Sequence, residues 1–277
     1  MKHSGRTLVV AGSSLKAGFL ALLLDRILPS TDVTLVAEAP AVGGTVQLPV
    51  MVSALPQPHS EMFDPLIVKI WSGFAVQGAT RHGYFPSKVA LLSAEQLHVE
   101  LLERFGAERL RFADRITRLG EQSIELASGE MITAREVIDV RQQIGPQHSG
   151  PRGRRYAMAV RDVTHDAPHG IIDPILYKEI ERSGDGIVFA QYLPLTESLL
   201  REIVYSPVAW SSSVPAGPGT TLRMERFTVD VDDLFDSAMN ADFSAEAIDF
   251  ATMLDGGIGA LLAEAGQIAA RQIRIIA

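Results

Sequence analysis

Hydrophobic positions near the start of the chain come in unbroken runs. Thr7 to Ala11 is a short β-branched run that predicts a buried strand. Gly12-Ser-Ser-Leu-Lys-Ala-Gly18 follows as a turn, and Phe19 to Leu28 has the composition of a buried helix. Pro29-Ser-Thr-Asp32 ends that helix, and Val33 to Ala37 predicts a second buried strand. Strand, glycine turn, helix and strand in this order make a βαβ unit.

The pattern then loosens. Pro49, Pro56, Pro58 and Pro65 punctuate the next segment and Pro86 follows a loop, so residues 45 to 90 are expected to be mostly irregular. Ser93 to Phe105 predicts an amphipathic helix, with Ser93 as cap, Glu95 in the first turn, and apolar Leu97, Val99, Leu101 and Leu102. Ile116 to Leu119, Ser123 to Leu126, a Ser128-Gly129 turn and Met131-Ile132 predict a β-meander, followed by a strand at Glu136 to Val140. Gln142 to Arg155, rich in Gly, Pro, Arg and Gln, marks a domain crossing. Tyr156 to Val163, Gly186 to Leu195 and Arg201 to Tyr205 predict a second, β-rich region, and Asp236 to Leu254 and Gly259 to Ile273 predict closing helices.

Composition narrows the classes. The 277 residues carry 25 Lys+Arg against 33 Asp+Glu, a formal net charge of −8, which argues against nucleic acid as a partner. No cysteine is present, so disulfides, thiolate zinc sites and iron–sulfur clusters are excluded. The apolar run from Gly18 to Leu24 stops at Asp25-Arg26, too short to span a bilayer. Lys2 and Arg6 precede an apolar stretch that ends at Gly12, which reads as a strand entering a turn and not as a signal peptide. The expected location is the cytoplasm, with peripheral contact to a membrane.

The chemistry concentrates at the first turn. In Gly12-x-Ser14-x-x-x-Gly18 the first glycine permits a tight turn, backbone at the middle position approaches a pyrophosphate, and the helix N-terminus attracts its charge. The pyrophosphate site is expected from the backbone of Gly12, Ser13, Ser14 and Leu15. Glu38, at the end of the second strand, is either the acid that accepts ribose hydroxyls or a solvated loop acid. Gly43 and Gly44 let the chain turn back across a nucleotide. Pro168 and Gly170 around His169 argue against a helix that would pair His165 with His169 on a metal, and no metal is expected. Asp230-Val-Asp232-Asp233 lacks the ligand and glycine positions of a calcium loop and reads as an acid cluster at a helix start. Glu197 and Glu202 read as surface acids.

The N-terminal two-thirds, residues 6 to 206, resembles the FAD-dependent lycopene cyclase family of carotenoid biosynthesis. The resemblance is carried by Val10-Ala-Gly-Ser-Ser-Leu-Lys-Ala-Gly-Phe-Leu-Ala-Leu, Pro40-Ala-Val-Gly-Gly44, Pro65-Leu-Ile-Val with Trp71, and Gly83-Tyr-Phe85. It continues in Val137-Ile-Asp139-x-Arg141, Pro168-His-Gly170, Pro174-Ile-Leu and Leu193-Pro-Leu195. Several positions depart from the family. Ser13 and Ser14 stand for glycines, Glu38 follows the aligned acid position, which is Ala37, and Thr45 to Val50 replaces an Asn-His-Thr-Trp-Ser-Phe segment. The Asp-Gly-Arg-Gly motif is Asp139-Val-Arg141-Gln, Lys178 stands for an Asp, and Arg201-Glu202-Ile-Val stands one place out from Ile-Glu-Asp-Thr. Asp255-Gly-Gly-Ile-Gly259 substitutes for a flavin-covering segment.

The resemblance implies an α/β fold, a Rossmann-like FAD-binding domain with a β-rich substrate domain. Its expected parts are a dinucleotide-binding domain at 1–150 with an inserted irregular segment and a β-meander, a substrate domain at 151–235, and C-terminal helices at 236–277 packing back on the first domain. It implies FAD in reduced form, with NAD(P)H as the reductant, bound by Gly12, Ser13, Ser14, Leu15, Glu38, Gly43, Gly44, Asp139 and Arg141. The implied activity is a non-redox cyclisation of a linear carotenoid end group, with Glu202 as the acid. An FAD-dependent oxidoreductase of the same fold and a non-catalytic protein retaining the fold are the alternatives. An apolar polyene substrate implies peripheral membrane contact through Leu66, Ile67, Ile70, Trp71 and Phe74 and through the Val46-to-Leu55 loop.

Overall fold

Residues 7–44, 47–55, 60–78, 82–141, 154–183, 186–207 and 220–231 are described by the computed structural model. The first apolar runs build a parallel sheet. β1 (Thr7–Ala11) pairs with β2 (Asp32–Ala37), joined by helix α1 (Leu15–Ile27). From Phe19 to Leu24 every α1 side chain is 3% exposed or less, because the helix is covered all round. Leu8 and Val10 of β1 pack on it from one side. Ala90, Leu92, Leu97 and Leu101 complete the same cluster from elsewhere in the chain.

The segment expected to be irregular is regular over most of its described residues. It holds β3 (Gln47–Met51), 3₁₀ turns at Val52–Ala54 and Ser60–Leu66, β4 (Ile67–Trp71), β5 (Phe74–Gln77), β6 (His82–Phe85) and β7 (Val89–Ser93). β3, β7 and β4 form a sheet with β7 in the centre, so Pro49 lies on an edge strand, where a missing amide is tolerated. Pro65 lies in the second 3₁₀ turn. The central strand is apolar on both faces for a reason: Ala90 and Leu92 join the α1 cluster, whereas Val89 and Leu91 join a second cluster with Trp71, Phe189 and Ile203.

Helix α2 (Ala94–Phe105) starts where expected, its cap Ser93 accepting the Gln96 amide at 3.4 Å. β8 (Leu110–Phe112), which the sequence reading missed, adds to β2 in parallel. β9 (Ile116–Leu119), β10 (Ser123–Leu126) and β11 (Met131–Thr133) form the expected antiparallel meander. It covers the other face of the parallel sheet through Ile116, Ile124 and Leu126, packed on Val9, Ala11 and Val36. β12 (Glu136–Asp139) then returns to the outer side of β1, giving the order β12-β1-β2-β8.

The second region is a seven-stranded sheet. Its long strands are β13 (Arg154–Thr164), β14 (Ile175–Ser183), β15 (Gly186–Pro194), β16 (Leu199–Pro207) and β17 (Thr220–Val231), ordered β17-β13-β16-β15-β14-β5-β6. β14 and β17 were not anticipated. β5 and β6 join this sheet although they lie far upstream, β5 running parallel to β14. Asp230 and Val231 end β17 and do not start a helix. Asp232 and Asp233, the crossing from Gln142 to Gly153, Asp255 to Gly259 and the closing helices at 236–277 lie outside the described residues.

The apolar surface expected to meet a membrane is largely core. Leu66, Trp71 and Phe74 are 0%, 4% and 1% exposed, and Val50, Met51 and Leu55 are also buried. Val68 and Ile70 alone in β4 turn outward. Among the described residues no helix is long and apolar enough to cross a membrane.

One carboxylate ties the first half together. Asp25 of α1 accepts Arg104 Nε at 2.8 Å and Arg109 Nη1 at 2.7 Å, linking α1 to α2 and to the approach to β8. Asp25→Ala leaves two partly buried guanidinium groups short of an acceptor. The variant is expected to lose about 1–3 kcal/mol of stability, read in a urea unfolding curve.

Candidate functional site

The site is built at the C-terminal edge of the parallel sheet. β12 and β2 flank β1 on opposite sides, so the exit of β1 lies at the crevice where open α/β sheets take ligands. Gly12 makes this exit with φ +154°. A Cβ there would lie 3.1 Å from the backbone of Val140, which follows β12. The glycine therefore lets two strand ends close up, and no larger residue fits without moving the main chain.

Ser14 caps α1, its Oγ accepting the Ala17 amide at 3.3 Å. Leu15 and Lys16 follow as the first helical residues, whose amides have no carbonyl one turn back to bond. Gly18 allows close packing: a Cβ would come within 2.8 Å of Val42 and Leu97 side-chain atoms.

The segment after β2 folds back over this turn. The Gly43 amide donates to the Ser13 carbonyl at 2.7 Å, and Ser13 Oγ accepts the Ala39 amide at 3.0 Å. Gly43 takes φ +70°, and a Cβ would meet Leu15 and Ala94 within 2.9 Å. Gly44, at φ +60°, faces open space. Its neighbours Thr45 and Val46 lie outside the described residues.

Glu38 is exposed just past β2, with Oε1 accepting the Ile116 amide at 2.8 Å where the meander begins. Asp139 and Arg141, at the end of β12, form a bidentate pair at 2.9 and 3.0 Å. Arg141 holds the Asp139 carboxyl below the usual carboxylate range. Asp139, with a smaller contribution from Glu38, raises the Arg141 guanidinium. One edge thus gathers Gly12, Ser13, Ser14, Leu15, Glu38, Gly43, Gly44, Asp139 and Arg141. The Ala39 and Ile116 amides, which the sequence reading missed, fix the two side chains that matter most, and no local pattern announces them.

These residues fit the phosphate and ribose part of a dinucleotide. The cradle that a Cβ at Gly12 would fill, the start of α1 and the acid after β2 lie where such a ligand needs them.

Glu202 is not in this group, and it is not a surface acid. It is 4% exposed and pairs with Arg161 through both Nε and Nη2. Arg161 and Glu202 are cross-strand partners on β13 and β16. Their sheet face is the one on which Val204 packs with Val188, Ala190 and Tyr192. Ile203, one residue on, faces Trp71, Val89 and Leu91, the strands that adjoin the first region. That side also carries Asp162, held by Arg201 at 2.7 Å in two bonds. Neutralising doublets, Arg161-Asp162 opposite Arg201-Glu202, were the sequence signal for this double pair.

His165 and His169 lie in the loop after β13. The Ile171 amide donates to His169 Nδ1 at 3.1 Å, so Nε2 carries the proton and donates to the Thr196 carbonyl at 2.8 Å. A cavity of about 330 Å³ lies beside this loop, lined by Thr164, His165, Asp166, His169 and Thr220.

No family model matches the sequence. A lycopene β-cyclase from Pantoea ananas is 25% identical over 193 residues, 70% of this chain and 50% of that protein. The chain therefore spans about half the length of this curated relative. A geranylgeranyl bacteriochlorophyll reductase-like protein from Thermoplasma acidophilum aligns over 82% of this chain and 67% of its own, with TM-score 0.60 and 11% identity. The p-nitrophenol 4-monooxygenase of Pseudomonas putida aligns over 81% and 69%, with TM-score 0.55 and 13% identity. The 2,6-dihydroxypyridine-3-hydroxylase of Arthrobacter nicotinovorans aligns over 75% and 57%, with TM-score 0.50 and 18% identity. The chain has the fold these structures share, a Rossmann-like domain beside a β-rich sheet.

Proposed function

We propose that this chain binds FAD through its ADP half at the turn between β1 and α1, and acts on the end group of a linear carotenoid. The observation that carries the first part is the convergence of Gly12, the start of α1, Gly43 and Glu38 on one edge of the parallel sheet. The amides of Leu15 and Lys16 would meet the pyrophosphate, and Glu38 the adenosine ribose, with Arg141 offsetting charge beside it. Support for the carotenoid comes from the Pantoea ananas lycopene β-cyclase. Bound in reduced form, FAD supplies an electron-rich ring system that steadies positive charge without net electron transfer.

Cyclisation also needs a protein acid at the olefin in a water-poor pocket. Glu202 is the acid that local sequence suggests, yet its carboxylate accepts from Arg161 on the sheet face turned from Trp71 and Val89. That observation favours a second reading, an FAD-dependent oxidoreductase using NAD(P)H, which needs no such acid.

The test supplies FAD and follows two reactions. Lycopene in detergent with dithionite-reduced FAD gives a cyclised product by chromatography if the first reading is right, and Glu202→Gln then cyclises at the parent rate if another group is the acid. FAD-dependent consumption of NAD(P)H in air supports the second. FAD binding with neither reaction leaves a non-catalytic nucleotide binder, and overturns the activity while keeping the site.

A further inference from the structure

The turn between β1 and α1 is closed by oxygen atoms of its own. Ser13 Oγ accepts the Ala39 amide, Ser14 Oγ accepts the Ala17 amide, and the Ser13 carbonyl accepts the Gly43 amide. Three amides at the ligand edge are therefore satisfied before any ligand arrives. Two of the three depend on serine side chains. We propose that the Ser13 and Ser14 hydroxyls are internal stand-ins for nucleotide oxygens, which let the site fold empty and make its dinucleotide an exchangeable ligand. This rests on the FAD-binding reading above.

The physical reason is a difference between bonds. A ligand oxygen that meets an amide already bonded to a hydroxyl gains only the difference between two similar hydrogen bonds, and must first displace the hydroxyl. The serine side chains also add atoms where a phosphate would approach the backbone most closely. What remains for the ligand is the pair of amides at Leu15 and Lys16, the second carboxylate oxygen of Glu38, and Arg141. That set binds, but it does not need ligand to complete it. The two serines thus trade affinity for a turn that stays folded through each release.

The experiment compares the parent with Ser13→Gly, Ser14→Gly and Ser14→Asp. FAD affinity is read from flavin fluorescence, dissociation from dilution into excess ADP, and the ligand-free turn from the thermal midpoint. Each glycine variant is expected to bind FAD about tenfold more tightly, mainly by slower release. Each is also expected to lower the ligand-free midpoint by about 1–4 °C. Ser14→Asp keeps a cap acceptor, so it holds the midpoint while its charge weakens FAD binding. Glycine variants that bind FAD no better than the parent overturn the proposal, as does a ligand-free midpoint that neither glycine lowers. A parent that binds neither FAD nor ADP refutes the FAD reading itself, and the proposal with it.

Discussion

Gly12→Val is expected to abolish FAD binding, weakening it at least about a hundredfold. Two effects combine. The backbone at Gly12 has φ +154°, which a β-branched residue adopts only at a cost of about 1–3 kcal/mol. The new Cβ would also stand 3.1 Å from the Val140 carbonyl carbon and oxygen, so β1 and the end of β12 must part. Parting them moves Asp139 and Arg141 away from Glu38 and widens the cradle that the first helical amides face. Because the substitution leaves the buried side chains of α1 and α2 unchanged, the far-ultraviolet circular dichroism spectrum should stay close to that of the parent. Fluorescence titration with FAD checks the result. Parent-like affinity in Gly12→Val would place the phosphate loop elsewhere.

The second large effect lies in the seven-stranded sheet. Arg161→Met is expected to cost about 3–5 kcal/mol, because it leaves the buried Glu202 carboxylate without its cation. Arg161→Met with Glu202→Leu removes both charges and should recover most of that loss, since a buried pair replaced by apolar groups is often neutral. Urea unfolding of the two variants makes the comparison. The double variant should still bind FAD like the parent, because neither residue belongs to the nucleotide edge. If Arg161→Met were as stable as the parent, Glu202 would not be a buried carboxylate that depends on Arg161.

Elements written in local pattern were legible in the sequence. β1, α1 and β2 are continuous apolar runs separated by a glycine turn and a proline break, and α2 is announced by Ser93 and a helical stripe. The meander is legible because each strand pairs with its sequence neighbour. β3 to β7 were not, because prolines that usually exclude strands sit here on an edge strand and in a 3₁₀ turn. β5 finds its parallel partner β14 about a hundred residues away, which no window of local sequence can reveal. That Gly12, Ser14, Glu38 and Gly43 meet at one edge of the parallel sheet was legible, since turn, cap and strand-end positions have fixed offsets. Glu202 was not: its direction depends on the pairing of β16 with β13, and one step along a strand reverses the face.

The most direct measurement of the central claim is competition at the proposed site. The amount of FAD held by the parent protein in equilibrium dialysis, quantified by chromatography, should rise saturably, then fall as ADP is added, while riboflavin up to the same concentration leaves it unchanged. That outcome assigns binding to the adenosine diphosphate half held at Gly12, Glu38 and Gly43. No saturable rise, or displacement by riboflavin and not by ADP, would contradict the account.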